Sequence, residues 1–366
     1  MKIVFANRRQ CFSHPGGDTV QMLNTKAALE KFFDVEIRIA LSTSEIENTE
    51  FDLLHIFNFQ TIDESTEFAN WAMKNKIPFV ISSVFWDLRD AQFVEFLSER
   101  LNISPNLYMS RFSDNYSSLI GILQSIRGKS TYSSIIFKKK VLSLLQNCSK
   151  VLPNSVEEVR CIENYLQVSI LNFHVVFNAV DEKMFRNQNS EKIRGIISVA
   201  RLEPLKNQIN LVQSMLDFPE IPILLIGSKT RYKKYLNRLY KICEKHGNVE
   251  FIDNLAQPDI FFAMNRYKVH AMPSFRDSPG LSSLEAMVSG SNIIISNQKH
   301  CPIETYFIEK INKSVFVVDP YDVKSIRRSI FLALNAENAS SSNSFTWKDA
   351  ATQTMAAYKS ILGHYE

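Results

Sequence analysis

Short apolar runs alternate with longer segments of helical periodicity along most of the chain. Strands that alternate with helices form parallel sheets with helices on both faces, and the buried strands of such sheets are apolar throughout. Because the series of runs restarts near the middle of the chain, we predict an α/β fold with two sheets. The strand-like runs lie at 3–6, 35–40, 53–57, 79–82 and 150–152 in the first series, and at 195–199, 223–226, 249–251, 269–272 and 292–295 in the second.

The polar segment 181–192 separates the two series and shows neither strand nor helix periodicity. Such a composition is typical of an interdomain linker. A chain of 366 residues also exceeds the size at which one hydrophobic core usually stops growing. We therefore predict one domain over 1–185, a second over 186–345, and a terminal helical segment over 346–366.

Charge and cysteine content exclude several classes of protein. The 42 Lys and Arg against 38 Asp and Glu give a net charge of +4, which does not indicate a nucleic-acid partner. The five cysteines are scattered without a CxxC pair, so the sequence predicts neither a disulfide framework nor a zinc site. The chain starts with a strand-like segment and holds no apolar stretch of about 18 residues, the length of a spanning helix. We expect a cytoplasmic protein.

Glycine is scarce, with 10 residues in 366, whereas average usage is about 7%. Two of the ten, Gly16 and Gly17, are adjacent in the loop between the first strand and the first helix. Bare backbone N–H groups at such a turn suit a phosphate or a sugar hydroxyl, because they lie next to the positive end of a helix. A plain tight turn explains the pair equally well.

Two cations directly follow the first strand of the second series. Arg201 and Lys206 lie in the predicted strand-to-helix loop, where they could hold a diphosphate together at the carboxyl end of the strand. Two solvated surface charges are the alternative. The dinucleotide fingerprint GxGxxG and the P-loop GxxxxGK[ST] are both missing, which argues against a dehydrogenase or an NTPase.

The segment 272–290 carries the most informative combination of residues. A strand ends at Met272, Asp277 lies in the following loop, and Gly280 precedes a helix that contains Glu285 one turn in. Free N–H groups at the helix start suit phosphate, and Glu285 could accept hydrogen bonds from two ribose hydroxyls. Alternatively, Asp277 caps the helix and Glu285 is a solvated carboxylate, which leaves the glycines at 280 and 290 unexplained.

This segment resembles a known signature. Asp277 and Glu285, with seven residues between them, are similar to the E-x7-E motif of retaining glycosyltransferases of the GT4 family, glycosyl transferases group 1, with Asp in place of the first Glu. Other segments resemble motifs of that family in the same order along nearly the whole chain: 16–21 the glycine loop, 52–55 the strand after it, 152–155 "PNS", 176–181 "PNGVD", 200–207 "GRL…KN", 304–307 "E-y-f" and 318–320 "DP".

The resemblance implies the GT-B fold, in which two Rossmann-like domains face each other across a cleft and a C-terminal helix crosses back onto the N-terminal domain. The first domain would bind the acceptor and the second the nucleotide-sugar donor. Arg201 and Lys206 would bind the donor diphosphate and form the catalytic set with Asp277, which would contact the sugar hydroxyls. The other implied donor contacts are Glu285 to the ribose, the backbone of Gly280, Leu281 and Ser282 to phosphate or sugar, and Gly16 with Gly17 closing over the diphosphate.

The chain departs from the family where the acceptor is expected. Many relatives carry His-Asp in the segment that matches 81–87, whereas this chain has Phe85-Trp86-Asp87 there. Asp87 is therefore a candidate for acceptor contact, and His14 and His55 are candidate substitutes for the missing histidine. His55 lies within a strand, where a single histidine is usually satisfied structurally.

The activity that the resemblance implies is retaining hexosyl transfer. A sugar would move from UDP or GDP to a hydroxyl of a glycan or lipid-linked glycan in bacterial surface polysaccharide synthesis. Since the sequence has no DxD-like motif, two fixed cations and a helix N-terminus would stabilise the leaving diphosphate, and we expect neither a metal nor another cofactor. A sugar-nucleotide epimerase or hydrolase on the same fold and a catalytically silent nucleotide-binding scaffold are the alternatives.

The basic segment 135–145 combines three lysines with apolar residues. An amphipathic basic helix of this kind could rest on anionic lipid at the inner face of the cell membrane, as expected for a lipid-linked acceptor. A surface helix of the first domain is the alternative.

Overall fold

The computed structural model describes residues 1–13, 16–181, 191–253, 255–339 and 345–363. Their contacts divide the chain into two units. The first unit comprises the described residues of Met1–Asp87, Ser118–Ala179 and Phe345–Glu366, and the second those of Leu88–Ser117 and Val180–Ser344.

Strands and helices alternate in both units, as the sequence predicts. The strands are β1 (Lys2–Ala6), β2 (Glu36–Ala40), β3 (Leu53–Phe57), β4 (Phe79–Ser82), β5 (Lys150–Val151), β6 (Ile193–Val199), β7 (Ile223–Ile226), β8 (Val249–Ile252), β9 (Tyr267–Met272), β10 (Asn292–Ser296) and β11 (Val315–Val318). The α-helices are α1 (Gly17–Phe32), α2 (Ile62–Asn75), α3 (Arg89–Phe96), α4 (Ser113–Ile126), α5 (Ile135–Asn147), α6 (Val156–Leu166), α7 (Gln208–Ser214), α8 (Lys233–His246), α9 (Gln257–Arg266), α10 (Leu281–Val288), α11 (Ile303–Phe307), α12 (Val323–Asn335) and α13 (Trp347–Leu362).

The sheet of the first unit has five parallel strands in the order β2-β1-β3-β4-β5. Its central strand β3 is buried at every position, which explains why the sequence reads as an uninterrupted apolar run there. The strand order reverses between β1 and β3. In open sheets of this kind, the carboxyl ends of the strands at such a switch point form the usual ligand crevice.

The C-terminal helix α13 packs into the core of the first unit. Thr346 and Asp349 form a capping box at its start, and Gly363 ends it in the left-handed conformation. Its buried face carries Ala351 and Tyr358, which join the cluster of apolar residues around the first sheet. The predicted return of the terminal helix to the N-terminal domain is confirmed.

The sheet of the second unit has six parallel strands in the order β11-β10-β9-β6-β7-β8. Counted from β6, this is the order of a doubly wound nucleotide-binding sheet, and its switch point lies between β6 and β9. Gly227 ends β7 at φ +150°, and a Cβ there would lie 2.0 Å from the carbonyl oxygen of Ala200. Only glycine therefore allows the end of β7 to approach the loop after β6 so closely.

The segment Leu88–Ser117 makes its contacts with the second unit, whereas the predicted first domain, 1–185, includes it. Tyr321 donates a hydrogen bond to the buried carboxylate of Asp90 at 2.9 Å, and the backbone N–H of Tyr235 donates to Glu99 at 2.9 Å. These partners are more than a hundred residues apart, so a local sequence pattern does not reveal them. The predicted boundary between 185 and 186 lies outside the described residues.

Helix α5 contains the basic segment 135–145. Phe137, Val141 and Leu144 on its apolar side are buried within the first unit. Lys140 pairs with Asp63, and Lys138 lies over the ring of Tyr165, 4.7 Å from its centroid. This arrangement is that of a surface helix, and contact of 135–145 with a membrane stays a prediction. Among the described residues, no helix is both long and apolar enough to cross a bilayer.

Candidate functional site

The loops that follow β6 and β9 bring predicted site residues together at the switch point of the second sheet. Lys206, in the first loop, places its Nζ 2.6 Å from Oδ1 of Asp277 in the second loop. Both side chains are largely buried, at 17% and 10% exposed. A charge pair at a switch point, shielded from water, is suited to binding charged or hydroxylated ligand groups.

Backbone hydrogen bonds fix the loop that carries Asp277. The N–H of Phe275 donates to the carbonyl of Leu205 at 2.9 Å, and the N–H of Asp277 donates to the carbonyl of His300 at 2.9 Å. Gly280 adopts φ +84°, and a Cβ there would lie 3.3 Å from Cγ of Asp277. The conformation of this loop therefore requires glycine at 280.

The helix α10 begins directly after Gly280. The first N–H groups of a helix have no acceptor within the helix, so those of Leu281 and Ser282 can donate hydrogen bonds to an anion. Asp277 lies in the loop that precedes α10, and Lys206 contacts Asp277 there. The predicted contacts of 280–282 with phosphate or sugar are thus geometrically available, and their role stays a prediction.

Glu285 lies one turn into α10. Gln257 Nε2 donates a long hydrogen bond of 3.4 Å to its carboxylate. Burial raises the pKa of Glu285 to about 7. The long hydrogen bond from Gln257 offsets little of the cost of burying this carboxylate. Hydroxyl groups of a ligand could donate hydrogen bonds to it and would stabilise its charged form.

The predicted diphosphate ligand Arg201 is half exposed and pairs with the buried Glu203, with 3.1 Å between Nη2 and Oε1. Sequence reasoning missed Glu203, which is two residues further along the same loop. It also gave no role to Asn207, whose amide donates to the carbonyls of Pro273 and Pro320 at 2.9 and 2.8 Å. Asn207 thereby ties the loop of Lys206 to the β9–α10 loop. The "KN" pair of Lys206 and Asn207 is the sequence signal from which a role of Asn207 could have been predicted.

In the first unit, Gly16 is the N-cap of α1 and Gly17 is its first residue, after β1 at the switch point of that sheet. A Cβ on Gly16 would lie 2.7 Å from Oδ1 of Asp18, whereas a Cβ on Gly17 would meet no atom within 4 Å. Asp18 accepts a hydrogen bond from Nε of Arg8 at 2.9 Å and one from Asn58 at 3.4 Å. The close approach of Asp18 thus accounts for Gly16.

Of the two acceptor candidates of the first unit, Asp87 lies within the described residues. Tyr132 donates a hydrogen bond to Asp87 at 3.0 Å, in the loop after β4. The candidate His14 lies outside the described residues.

A buried glutamate that sequence reasoning missed, Glu158, organises the loop after β4. The hydroxyl of Ser83 and the backbone N–H of Phe85 donate to its Oε1 at 2.5 and 2.7 Å, and Asn154 N–H donates to its Oε2 at 2.9 Å. Between Ser83 and Phe85, Val84 adopts φ +44°, a strained conformation for a β-branched residue. Such strain is typical of functional loops. The spacing Ser155-x-x-Glu158 was the available signal, since it is that of a helix cap.

His55 has the structural role expected from its place in a strand. Its Nδ1 lies 2.6 Å from the hydroxyl of Tyr358 and its Nε2 lies 2.8 Å from the hydroxyl of Ser82. Burial lowers the pKa of His55 to about 3. With both ring nitrogens engaged, this imidazole is not placed to exchange protons with a ligand.

Residues 180–347 match the family model of glycosyl transferases group 1. This stretch of the chain is similar to the group 1 glycosyltransferases. It contains Arg201, Lys206, Asp277, Gly280 and Glu285, and it begins after Gly16, Gly17 and Asp87.

Curated relatives resemble this chain over part of their length. The O-antigen chain mannosyltransferase B of Escherichia coli is 26% identical over 175 residues, which is 44% of this chain and 44% of that protein. The serotype-specific mannosyltransferase WbdA of Escherichia coli is 26% identical over 188 residues, 46% of this chain and 22% of WbdA. The chain thus spans less than half the length of these relatives.

Solved structures resemble the whole chain. The sucrose-phosphate synthase of Thermosynechococcus elongatus has a TM-score of 0.68 at 13% identity and covers all of both chains. HepE of Anabaena, solved in complex with UDP and glucose, has a TM-score of 0.61 at 15% identity over 99% of this chain and 97% of its own. The chain therefore has the predicted GT-B fold.

Among the described residues, no group of three or more His, Cys, Asp and Glu side chains is arranged to hold a metal ion. The expectation of a metal-independent reaction stays a prediction. Arg201, Lys206 and the start of α10 supply positive charge at the site of the second unit.

Proposed function

We propose that the chain is a retaining glycosyltransferase of the GT4 family, which transfers a hexose from UDP or GDP to a hydroxyl of a glycan or lipid-linked glycan. The observation that carries this proposal is the shielded pair of Lys206 and Asp277 at the start of α10, 2.6 Å apart. It combines a cation for phosphate, a carboxylate for sugar hydroxyls and a helix N-terminus at one switch point.

The donor would bind with its diphosphate at the start of α10. Lys206 and Arg201 would contact the phosphate oxygens, Asp277 the hydroxyls of the sugar, and Glu285 the ribose. Negative charge grows on the diphosphate as the bond from the anomeric carbon to the phosphate oxygen breaks. Fixed cations and aligned N–H groups in a site sheltered from water stabilise that charge, so no metal is required.

The acceptor step would take place on the same face of the sugar. The acceptor oxygen forms a bond to the anomeric carbon while the phosphate oxygen leaves, and the acceptor proton passes to that phosphate oxygen. Protons and charge then balance without a protein base, and the anomeric configuration is retained. Asp87 would position the acceptor hydroxyl in the first unit.

The names of the relatives support a hexose donor and a polysaccharide setting. Two of them are called mannosyltransferases, and one is named for the O-antigen chain. HepE was solved with UDP and glucose, and an Escherichia coli trehalose-6-phosphate structure contains UDP-2-fluoro glucose. A nucleoside diphosphate hexose is therefore the donor class that we propose, within bacterial surface polysaccharide synthesis.

A thermal-shift screen with UDP, GDP, ADP and CMP tests donor recognition first. A ligand at 100 times its dissociation constant adds about 2.7 kcal/mol of stability, so UDP or GDP should raise the melting temperature while CMP does not. NMR of the product formed from the matching hexose donor should then show the same anomeric configuration as in the donor.

Three outcomes would contradict the proposal. An inverted product would exclude the retaining mechanism. Release of free hexose, or conversion of the donor to an isomer, with no transfer to an acceptor would favour the hydrolase or epimerase. Nucleotide binding with an unchanged donor would favour the silent scaffold.

A further inference from the structure

One face of α4 exposes a row of large apolar side chains. Leu119, Ile122, Leu123 and Ile126 are 58%, 57%, 41% and 78% exposed. Their spacing of three and four residues places them on one side of the helix. In a surface helix the apolar side normally faces the core, so a row of this kind facing solvent indicates an interaction site.

Close packing on another side of α4 fixes this orientation. A Cβ on Gly121 would lie 2.3 Å from the carbonyl oxygen of Ser133, so α4 packs closely against the segment that precedes α5. The N–H of Ile135 donates to the hydroxyl of Ser125 at 2.8 Å. Ile135, itself 57% exposed, thereby lies beside the row. We call Leu119, Ile122, Leu123, Ile126 and Ile135 the α4 stripe.

Cations outnumber carboxylates around the α4 stripe. Residues 115–156 contain no Asp or Glu but six cations. Three of these, Arg127, Lys129 and Lys139, are exposed next to the stripe. Arg127 and Lys129 directly follow the end of α4, and Lys139 lies one turn after Ile135 on the same side of α5.

Two carboxylates of this region are paired with cations. Asp114 at the start of α4 lies 3.0 Å from Arg89, and Asp63 pairs with Lys140. The exposed cations Arg127, Lys129 and Lys139 therefore give the surface beside the stripe an excess of positive charge.

We propose that the α4 stripe and its three cations dock onto the surface of an anionic lipid bilayer. The apolar side chains would enter the boundary between headgroups and acyl chains, while the cations would meet lipid phosphates. The exposed cations beside the stripe favour an anionic surface, and lipid phosphates present such a surface continuously across a bilayer. This docking does not depend on the proposed donor chemistry.

Most of 135–145 lies outside this docking face. The apolar side of α5 is buried in the first unit, so only Ile135 and Lys139 of that segment belong to the docking face.

Vesicle co-sedimentation of the full chain tests the proposal. We expect binding to phosphatidylcholine vesicles that contain phosphatidylglycerol, and none to phosphatidylcholine alone. The double variant Ile122→Ser/Ile126→Ser should weaken binding at least about tenfold, equivalent to about 1.4 kcal/mol. The matched control Phe262→Ser/Leu332→Ser removes two apolar side chains of similar exposure, 65% and 52%, from the second unit and should bind like the wild type.

A charge variant provides the second arm of the experiment. Arg127→Gln/Lys129→Gln should weaken binding about 30-fold, equivalent to about 2 kcal/mol. The control Lys241→Gln/Lys324→Gln, which removes two exposed lysines of the second unit, should leave binding unchanged. Circular dichroism checks that every variant is folded.

Three results would overturn the proposal. These are binding that does not depend on phosphatidylglycerol, equal weakening by the control variants, or unchanged binding by both Ile122→Ser/Ile126→Ser and Arg127→Gln/Lys129→Gln. Light scattering gives a further test. A dimer that Ile122→Ser/Ile126→Ser dissociates would show that a second copy of the chain covers the stripe instead.

Discussion

At the scale of single residues, the site of the second unit depends on the conformation of one glycine. Gly280 holds φ +84° while the Asp277 side chain packs against it, with 3.3 Å between the position of a Cβ and Cγ of Asp277. Asp277 in turn meets Lys206. A change at 280 should therefore reach both charged residues through direct contact.

We predict that Gly280→Ala lowers both stability and nucleotide affinity. A left-handed conformation costs a residue with a Cβ about 1–2 kcal/mol, and the added methyl would displace Asp277. Gly247→Ala is the matched control, since Gly247 has φ +79° and no atom within 4 Å of its Cβ position. Denaturation and calorimetric titration should show a stability loss in both variants but an affinity loss only in Gly280→Ala. Equal affinities in the two variants would contradict the role of Gly280.

Glu285 makes stability depend on pH. Burial raises its pKa to about 7 from the ordinary value of 4.5. Between these values the folded chain holds a proton that the unfolded chain has lost, so stability falls as pH rises through this window, by at most about 3 kcal/mol. Glu285→Gln should remove this contribution. Urea denaturation at about pH 5 and about pH 8 should show a smaller fall in the variant than in the wild type; parallel curves would contradict the shift.

At the scale of elements, the segment Leu88–Ser117 is anchored to the second unit by a buried carboxylate. Asp90 accepts a hydrogen bond from Tyr321 and pairs with Lys299 at 2.8 Å. Nδ1 of His300 lies 3.8 Å from the same carboxylate and 3.1 Å from the carbonyl oxygen of Phe275. This cluster therefore also supports the loop of Asp277.

We predict that Asp90→Ala destabilises the protein by about 2 kcal/mol, because it leaves the buried hydroxyl of Tyr321 without its acceptor and the half-exposed Lys299 without its partner. Asp114→Ala serves as the control in the same segment. Asp114 forms an ion pair with Arg89 but is 63% exposed, and such surface pairs contribute at most about 1 kcal/mol. Chemical denaturation measures both values, and equal losses would show that Asp90 is not an anchor.

The elements that sequence could predict are those with a local signal. The run at 53–57 is β3 because every residue there is buried, and the capping signals of Thr346 and Asp349 mark α13. The contacts of Asp90 join residues 231 positions apart, and those of Glu158 with Ser83 span 75. Polar partners at such separations leave no periodicity in the sequence, so the place of Leu88–Ser117 could not be predicted.

At the scale of the whole molecule, the two sheets place their glycine-containing and charged loops at corresponding positions. In each unit these loops follow strands at the switch point, β1 in the first and β6 with β9 in the second. Sequence motifs predicted the loops of the second unit, because charge, glycine and spacing occur together within 200–207 and 277–285. In the first unit the signal was weaker, since Gly16 owes its place to Asp18, a packing relation that sequence does not display.

The central claim is that Lys206 and Asp277 form a donor site and not merely a structural ion pair. Calorimetric titration of Lys206→Ala with whichever of UDP or GDP stabilises the wild type tests it most directly. We predict an affinity loss of about 30-fold, equivalent to about 2 kcal/mol for a lost charged hydrogen bond, and no loss in Lys324→Ala, an exposed lysine of the same unit. A Lys206→Ala protein with lower stability but wild-type affinity would show that the pair is structural, and would contradict the account.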